Sequence, residues 1–315
     1  MKDFVVDGKV YILDPTLRNQ IRPDWQVMLQ PAKDRLGKGI DITRSAYAVL
    51  IAEGHLNDLG KTLVGRNVLE VGCNEGARSY IMAKYQDTYV HGIDVDEYTV
   101  DQSPDMNLWN PNDLKFVHDK FNDMRDKLAS KFPEYIVRKV SFQTADISTF
   151  MGTPVYDIVI SWDTIEHILD LPTAFKNMNK SMVTGGIMYH EYNPFFTLNG
   201  GHSLCTLDFM YGHCRLQDKD FEQYIKEYRP EEEKVALNFY RKCLNRATIA
   251  DVKKYAEDAG FETLFWKGIP AFDDHQAMWQ NKIRNEFMPE VAKLYPTVTM
   301  EDLYFSTIQM VMRKK

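Results

Sequence analysis

Cysteine is scarce in this chain, and long apolar runs are missing. The four cysteines among 315 residues (Cys73, Cys205, Cys214 and Cys243) form no C-x-x-C pair, which argues against a disulfide scaffold. Residues 1–7 contain no apolar core of the kind a secretory signal needs, and the run Ala46 to Ala52 is far too short to span a bilayer. These absences predict a reduced, cytoplasmic protein with no membrane partner. A basic excess is missing too. Lys and Arg number 38 against 45 Asp and Glu, a formal net charge of −7, so no broad face for a phosphate backbone is expected and no nucleic-acid partner. There is no internal repeat and no low-complexity segment. What is present is a globular balance of 44% hydrophobic and 26% charged residues, enough to bury a sizeable core.

From about residue 65 apolar strands and helical stretches alternate. Val68-Leu69-Glu70-Val71, Tyr89 to Ile93, Val140 to Phe142, Tyr156 to Ser161, Gly186 to His190, Phe261 to Trp266 and Leu303 to Met312 read as strands. Near-continuous apolar strands separated by helices imply a parallel sheet covered on both faces. Thr248 with Asp251 marks a helix start. Two stretches exceed ordinary connections: about 45 residues after the second strand, and residues 193–246 after the fifth. The expected organisation is an N-terminal arm (1–41), a core (42–192), a lid insertion (193–246) and the rest of the core sheet (247–315). Glu222 to Lys234 reads as one amphipathic helix that packs the lid or makes a homodimer contact.

The sharpest local signal is Glu70-Val71-Gly72-Cys73-Asn74-Glu75-Gly76-Ala77, a strand, a glycine turn and a helix start. A P-loop would need Gly-Lys-Ser/Thr. A dinucleotide site would need a second glycine where Asn74 stands, to admit a pyrophosphate. The pattern E-x-G-x-x-x-G suits a nucleoside without phosphates. Asp94, 22 residues after Gly72, ends the second strand. A carboxylate there can accept from both hydroxyls of a ribose.

With these residues the chain resembles the class I S-adenosylmethionine-dependent methyltransferases, in the form common among small-molecule enzymes. Glu70 to Gly76 resembles the family's first motif. Gly92-Ile93-Asp94-Val95 resembles the second, Thr144-Ala145-Asp146-Ile147 the third, and Tyr156 to Ile168 the fourth. Gly185-Gly186 and Ala259-Gly260 match the turns before later strands. The resemblance implies a doubly wound α/β fold: a mostly parallel, seven-stranded Rossmann-like sheet with helices on both faces, here carrying an arm and a lid. It implies S-adenosylmethionine as cofactor and S-adenosylhomocysteine as product, held by Glu70, Gly72, Cys73, Asn74, Gly76, Asp94, Val95, Asp146, Ile147 and Ser161. It does not reach the first 41 residues.

Methyl transfer from a sulfonium mainly needs alignment, and a base only where the acceptor must lose a proton. The stretch Tyr189 to Arg215 holds three of the eight histidines and two of the four cysteines. It reads as a lid and acceptor pocket, with His202 and His213 as candidate bases and Glu191 and Tyr211 as orienters. His167, inside a motif shared by members with different acceptors, reads as structural or cofactor-side. The adjacent pair His213-Cys214 makes zinc a poor reading of His202, Cys205, His213 and Cys214, so no metal is expected. Asp273-Asp274-His275 reads as an exposed acidic turn. The tetrapeptide Asn193-Pro194-Phe195-Phe196 is similar to the amino-methylating motif of nucleic-acid enzymes, but follows the wrong strand. The expected activity is methylation of a small polar acceptor, at an oxygen of a sugar, glycan precursor or related metabolite. The alternatives are N-methylation of a small amine or peptide, and a non-catalytic S-adenosylmethionine-binding protein.

Overall fold

The computed structural model describes residues 3–37, 41–272 and 274–315. An antiparallel hairpin comes first, β1 (Phe4–Val6) and β2 (Lys9–Tyr11). Asp7 and Gly8 join the two strands, both at positive φ (48° and 79°), the turn geometry that an Asp-Gly pair favours.

Seven further strands form the core sheet: β3 (Asn67–Val71), β4 (Tyr89–Asp94), β5 (Val140–Thr144), β6 (Tyr156–Trp162), β7 (Met182–Tyr192), β8 (Phe261–Pro270) and β9 (Phe305–Lys314). Their order is β5-β4-β3-β6-β7-β9-β8. All neighbours are parallel except β9, which runs antiparallel to both β7 and β8. The helices Ile42–Asp58 and Ala77–Met82 bury their apolar sides with one face of this sheet. Leu171–Ser181 and Ile249–Asp258 bury theirs with the other. This is the expected doubly wound arrangement. The winding direction reverses between β3 and β6, and there a crevice opens at the carboxyl ends of the strands.

Two expectations about local structure are corrected. The amphipathic stretch Glu222 to Lys234 is not one helix: Asp218–Tyr228 and Glu233–Lys242 are separate, with a short turn at Pro230–Glu232 between them. Pro230 has no N–H and keeps Arg229 out of helical geometry (φ −142°, ψ 48°). The last strand begins at Phe305 rather than Leu303, because Thr299 and Asp302 form a capping box that starts a helical turn, Met300–Tyr304.

The arm is not a loose appendage. Phe4 and Tyr11 of the hairpin pack into one apolar core with Phe195, Tyr211, Phe221 and Tyr240 of the insertion and with Ile283, Phe287 and Leu303. Arg18 joins the arm to the lid through a buried carboxylate. It pairs with both oxygens of Glu232 at 2.8 Å and donates to the Ser203 carbonyl. Arg229 pairs with the same carboxylate and donates to the Leu204 and Thr206 carbonyls.

Candidate functional site

A cavity of about 1010 Å³ occupies the crevice, and its wall includes Gly72, Cys73, Asn74, Asp94, Val95, Asp146 and Ile147. The turn after β3 explains its floor. Gly72 sits at φ 75°, and a side chain there would overlap Thr164 Oγ1. Gly76 sits at φ 84° against the Phe142 ring. Asn74 also lies in the left-handed region, at φ 48°. Asparagine tolerates that conformation better than most residues, which accounts for its place in a turn of this shape. Asn74 N–H donates to Asp94 Oδ2 at 2.5 Å, and Val95 N–H to Oδ1 at 2.7 Å. Burial pushes the Asp94 carboxyl up to about 6 against these two bonds. Arg125, on helix Pro111–Ala129, clamps the loop from outside by donating to the Asn74 carbonyl at 2.6 Å. No motif pointed to Arg125, because the contact spans 51 residues.

Three expected cofactor residues stand behind the wall rather than on it. Glu70 is buried beneath the loop, accepts from Ser79 Oγ and ties the strand end to the next helix. Gly76 is the cap of that helix. Ser161 is fully buried and hydrogen-bonds His190 Nδ1 at 2.7 Å inside the sheet. Burial raises the Glu70 carboxyl from 4.5 to about 7. The folded chain therefore keeps a proton that the unfolded chain releases, and stability falls as pH rises from about 4.5 to about 7. Glu70→Gln is expected to flatten that slope in thermal melts run across this range, and parallel slopes for variant and parent would count against it.

The expected catalytic residues separate. His213 is buried, with Nε2 2.7 Å from the Phe195 carbonyl. Tyr211 is buried and donates to the Leu303 carbonyl. Glu191 accepts from Tyr189 and Gln309 on β7 and β9. None of these three lines the cavity. The sulfurs of Cys205 and Cys214 face backbone carbonyls. In the acidic turn, Asp273 lies outside the described residues, and Asp274 and His275 are exposed.

His167 is on the wall instead, with Asp163, Thr164 and Tyr98. Its Nδ1 lies 2.6 Å from the Cys243 carbonyl, which can only accept, so Nδ1 carries the proton. Nε2 is then a lone pair, 3.1 Å from the Tyr98 hydroxyl. Burial lowers this imidazole to about 4 and keeps it neutral. His202 lies against it, ring centroids 4.8 Å apart. One nitrogen of each histidine and one oxygen of Glu166 lie within 4.8 Å of one another. A divalent ion is nevertheless a poor fit. Arg22 Nη2 reaches His202 Nδ1 at 3.3 Å, and a guanidinium only donates, so the His202 proton sits on Nε2 and no free lone pair remains. Burial, then the Asp163 charge, pushes the Glu166 carboxyl well above the usual range.

Residues 44–264 match the family described as "Methyltransferase domain". The chain belongs to this methyltransferase family. Its sheet order, glycine turn and strand-ending Asp94 are those that the resemblance to class I S-adenosylmethionine-dependent methyltransferases implies. A curated relative, a phosphoethanolamine N-methyltransferase of Triticum aestivum, is 26% identical over 234 residues, covering 70% of this chain and 38% of the relative. The chain thus spans about two-fifths of that relative's length. Among solved structures, an S-adenosylmethionine-dependent methyltransferase from Mesorhizobium loti matches 83% of this chain and 96% of its own, at TM-score 0.47 and 12% identity. Phosphoethanolamine N-methyltransferase 2 of Haemonchus contortus in complex with S-adenosyl-L-methionine matches 86% of this chain and 52% of its own, at TM-score 0.47 and 13% identity. Among the described residues of this methyltransferase, no helix is long and apolar enough to cross a membrane.

Proposed function

We propose that this methyltransferase methylates a hydroxyl oxygen of a small polar acceptor, with His167 taking the proton. The residues around the crevice suit the cofactor. Asp94 keeps lone pairs beyond the two backbone bonds and accepts from the ribose hydroxyls. Val95 and Ile147 form an apolar slot for the flat base, with Asp146 at its edge. At the other end the wall carries both signs of charge, Asp163 beside Arg78 at 3.6 Å and Arg44 nearby, which suits an amino acid's ammonium and carboxylate. When bound, the cofactor supplies an electrophilic methyl group on a sulfonium.

The observation that carries the acceptor assignment is His167: a neutral imidazole whose tautomer is set by the Cys243 carbonyl and whose Nε2 lone pair faces the Tyr98 hydroxyl. A base of pKa about 4 is sufficient here. An alcohol becomes a strong acid as its oxygen gains the methyl group, so its proton moves readily to a weak base. Tyr98 orients His167. Methylation of an amine is the rival reading, favoured by the activity named for the wheat relative. Product analysis after transfer of a labelled methyl group separates O- from N-methylation.

The cofactor half is tested by calorimetry with S-adenosylhomocysteine. Asp94→Ala is expected to weaken binding by about 1–3 kcal/mol. Affinity in the parent protein should also decline below about pH 6, as the carboxyl takes up a proton and loses an acceptor. Binding that is level from pH 5 to 8 would remove Asp94 from the ribose.

A further inference from the structure

Around His167, four side chains linked by hydrogen bonds and ring contact share an unusual pattern. Each uses one polar atom to fix itself in place and leaves another buried without a partner. Arg22 donates through Nη2 to the Asn199 carbonyl at 3.0 Å and to His202 Nδ1, while its Nε is unpartnered. Glu166 Oε1 accepts from the Asn193 backbone at 3.0 Å and from its side chain, while Oε2 is unpartnered. Asn199 Nδ2 donates to Asn193 Oδ1 at 3.4 Å, while its Oδ1 is unpartnered. His202 Nδ1 accepts from Arg22, while Nε2 is unpartnered. Native interiors leave few polar atoms unsatisfied, so four together call for an occupant.

The four come from three segments: the arm (Arg22), the turn after β6 (Glu166), and the insertion (Asn199 and His202). His202 is held at φ 51°, a conformation unusual for a residue with a side chain. Such strain concentrates where a group must be presented at a fixed angle.

We propose that Arg22, Glu166, Asn199 and His202 form the acceptor's anchoring site, and that it takes a vicinal diol of a neutral polyol, a sugar or a cyclitol. The proposal rests on the hydroxyl-methylation reading above and names its substrate class. The unused atoms are two donors, Arg22 Nε and His202 Nε2, one acceptor, Asn199 Oδ1, and Glu166 Oε2, which donates while the raised carboxyl keeps its proton and accepts once it is lost. A hydroxyl both donates and accepts, so two adjacent hydroxyls satisfy all four. A phosphate or carboxylate would bring its charge against Asn199 Oδ1 and the nearby Asp163. An ammonium would face the Arg22 guanidinium and the His202 N–H. His167 lines the cofactor cavity and its ring lies against His202, so a polyol anchored here would present a further hydroxyl to Nε2 in place of the Tyr98 hydroxyl. The arm, through Arg22, then contributes to acceptor choice.

The full chain, with S-adenosylmethionine labelled in its methyl group, is incubated with three acceptor pools. One holds neutral methyl glycosides and inositols, one sugar phosphates and uronic acids, and one amino sugars and alkanolamines. Label is expected in the neutral pool. Arg22→Met and His202→Asn are expected to raise the KM for the labelled acceptor by about tenfold or more, with kcat and S-adenosylhomocysteine affinity little changed. Asparagine at 202 tolerates the backbone angle but is too short to reach. Label confined to a charged pool, label in no pool, or an unchanged KM in both variants would overturn the anchoring site. If either variant fails to fold, the choice among pools by the parent protein decides alone. Failure to bind S-adenosylhomocysteine would instead count against the cofactor assignment, so the two failures are distinguishable.

Discussion

Replacing His167 with asparagine is expected to lower kcat about 10²–10⁴-fold while S-adenosylhomocysteine affinity moves by less than about twofold. The effect is large because His167 carries its lone pair on the cavity wall, where an acceptor hydroxyl would take the place of the Tyr98 hydroxyl as donor to Nε2. Its Nδ1 is committed to the Cys243 carbonyl, and rotation of the ring would cost that bond and the Tyr98 contact together. The rate should also be level with pH from about 5 to 8 at saturating cofactor, because an imidazole at about 4 is already deprotonated throughout that range. A kcat that titrates near 6–7 would assign the proton to another group. His213 provides the contrast. Its Nε2 is already bonded to the Phe195 carbonyl in a buried setting, so His213→Ala should lower the melting temperature and leave kcat of the folded fraction nearly unchanged.

Glu232→Ala is expected to destabilise the protein by about 3–5 kcal/mol, the largest single effect on folding that these contacts suggest. One carboxylate neutralises two guanidinium groups, Arg18 and Arg229, and all three residues are buried. The pairing holds the Glu232 carboxyl below its usual range in spite of burial. Truncation would leave two buried cations, each still tied to backbone carbonyls and unable to turn to water. A loss of this size corresponds to a fall in Tm of about 5–8 °C for a chain this long. Calorimetric melting checks it, and a shift below about 1 °C would show that water reaches the pair. Arg18 carries the arm, so the variant should also loosen Arg22, four residues on, and raise the acceptor KM.

The lining of the crevice was legible because its parts are local. Gly72, Asn74 and Gly76 follow one strand, and Asp94 and Val95 end the next, so a linear pattern records the geometry. Glu70 and Ser161 share those motifs yet lie behind the wall, since alternate residues of a strand face opposite sides of the sheet. The lid residues misled for a related reason. Histidines and tyrosines were dense between Tyr189 and Arg215, but composition does not say which way a side chain points. Tyr211 and His213 went to backbone carbonyls in the apolar core that the insertion shares with the arm.

The sequence by itself determined the sheet, its winding and the glycine turn that floors the crevice. Near-continuous apolar strands, glycine turns and a strand-ending acid are short-range signals that only a few residues need to carry. The tertiary structure alone decided which groups meet around His167. Arg22 touches His202 across 180 residues, and His167 is set by a carbonyl 76 residues away. Contacts of that reach leave no periodicity in a single chain. They arise only when the arm and the insertion close over the sheet, driven by the apolar core they bury together.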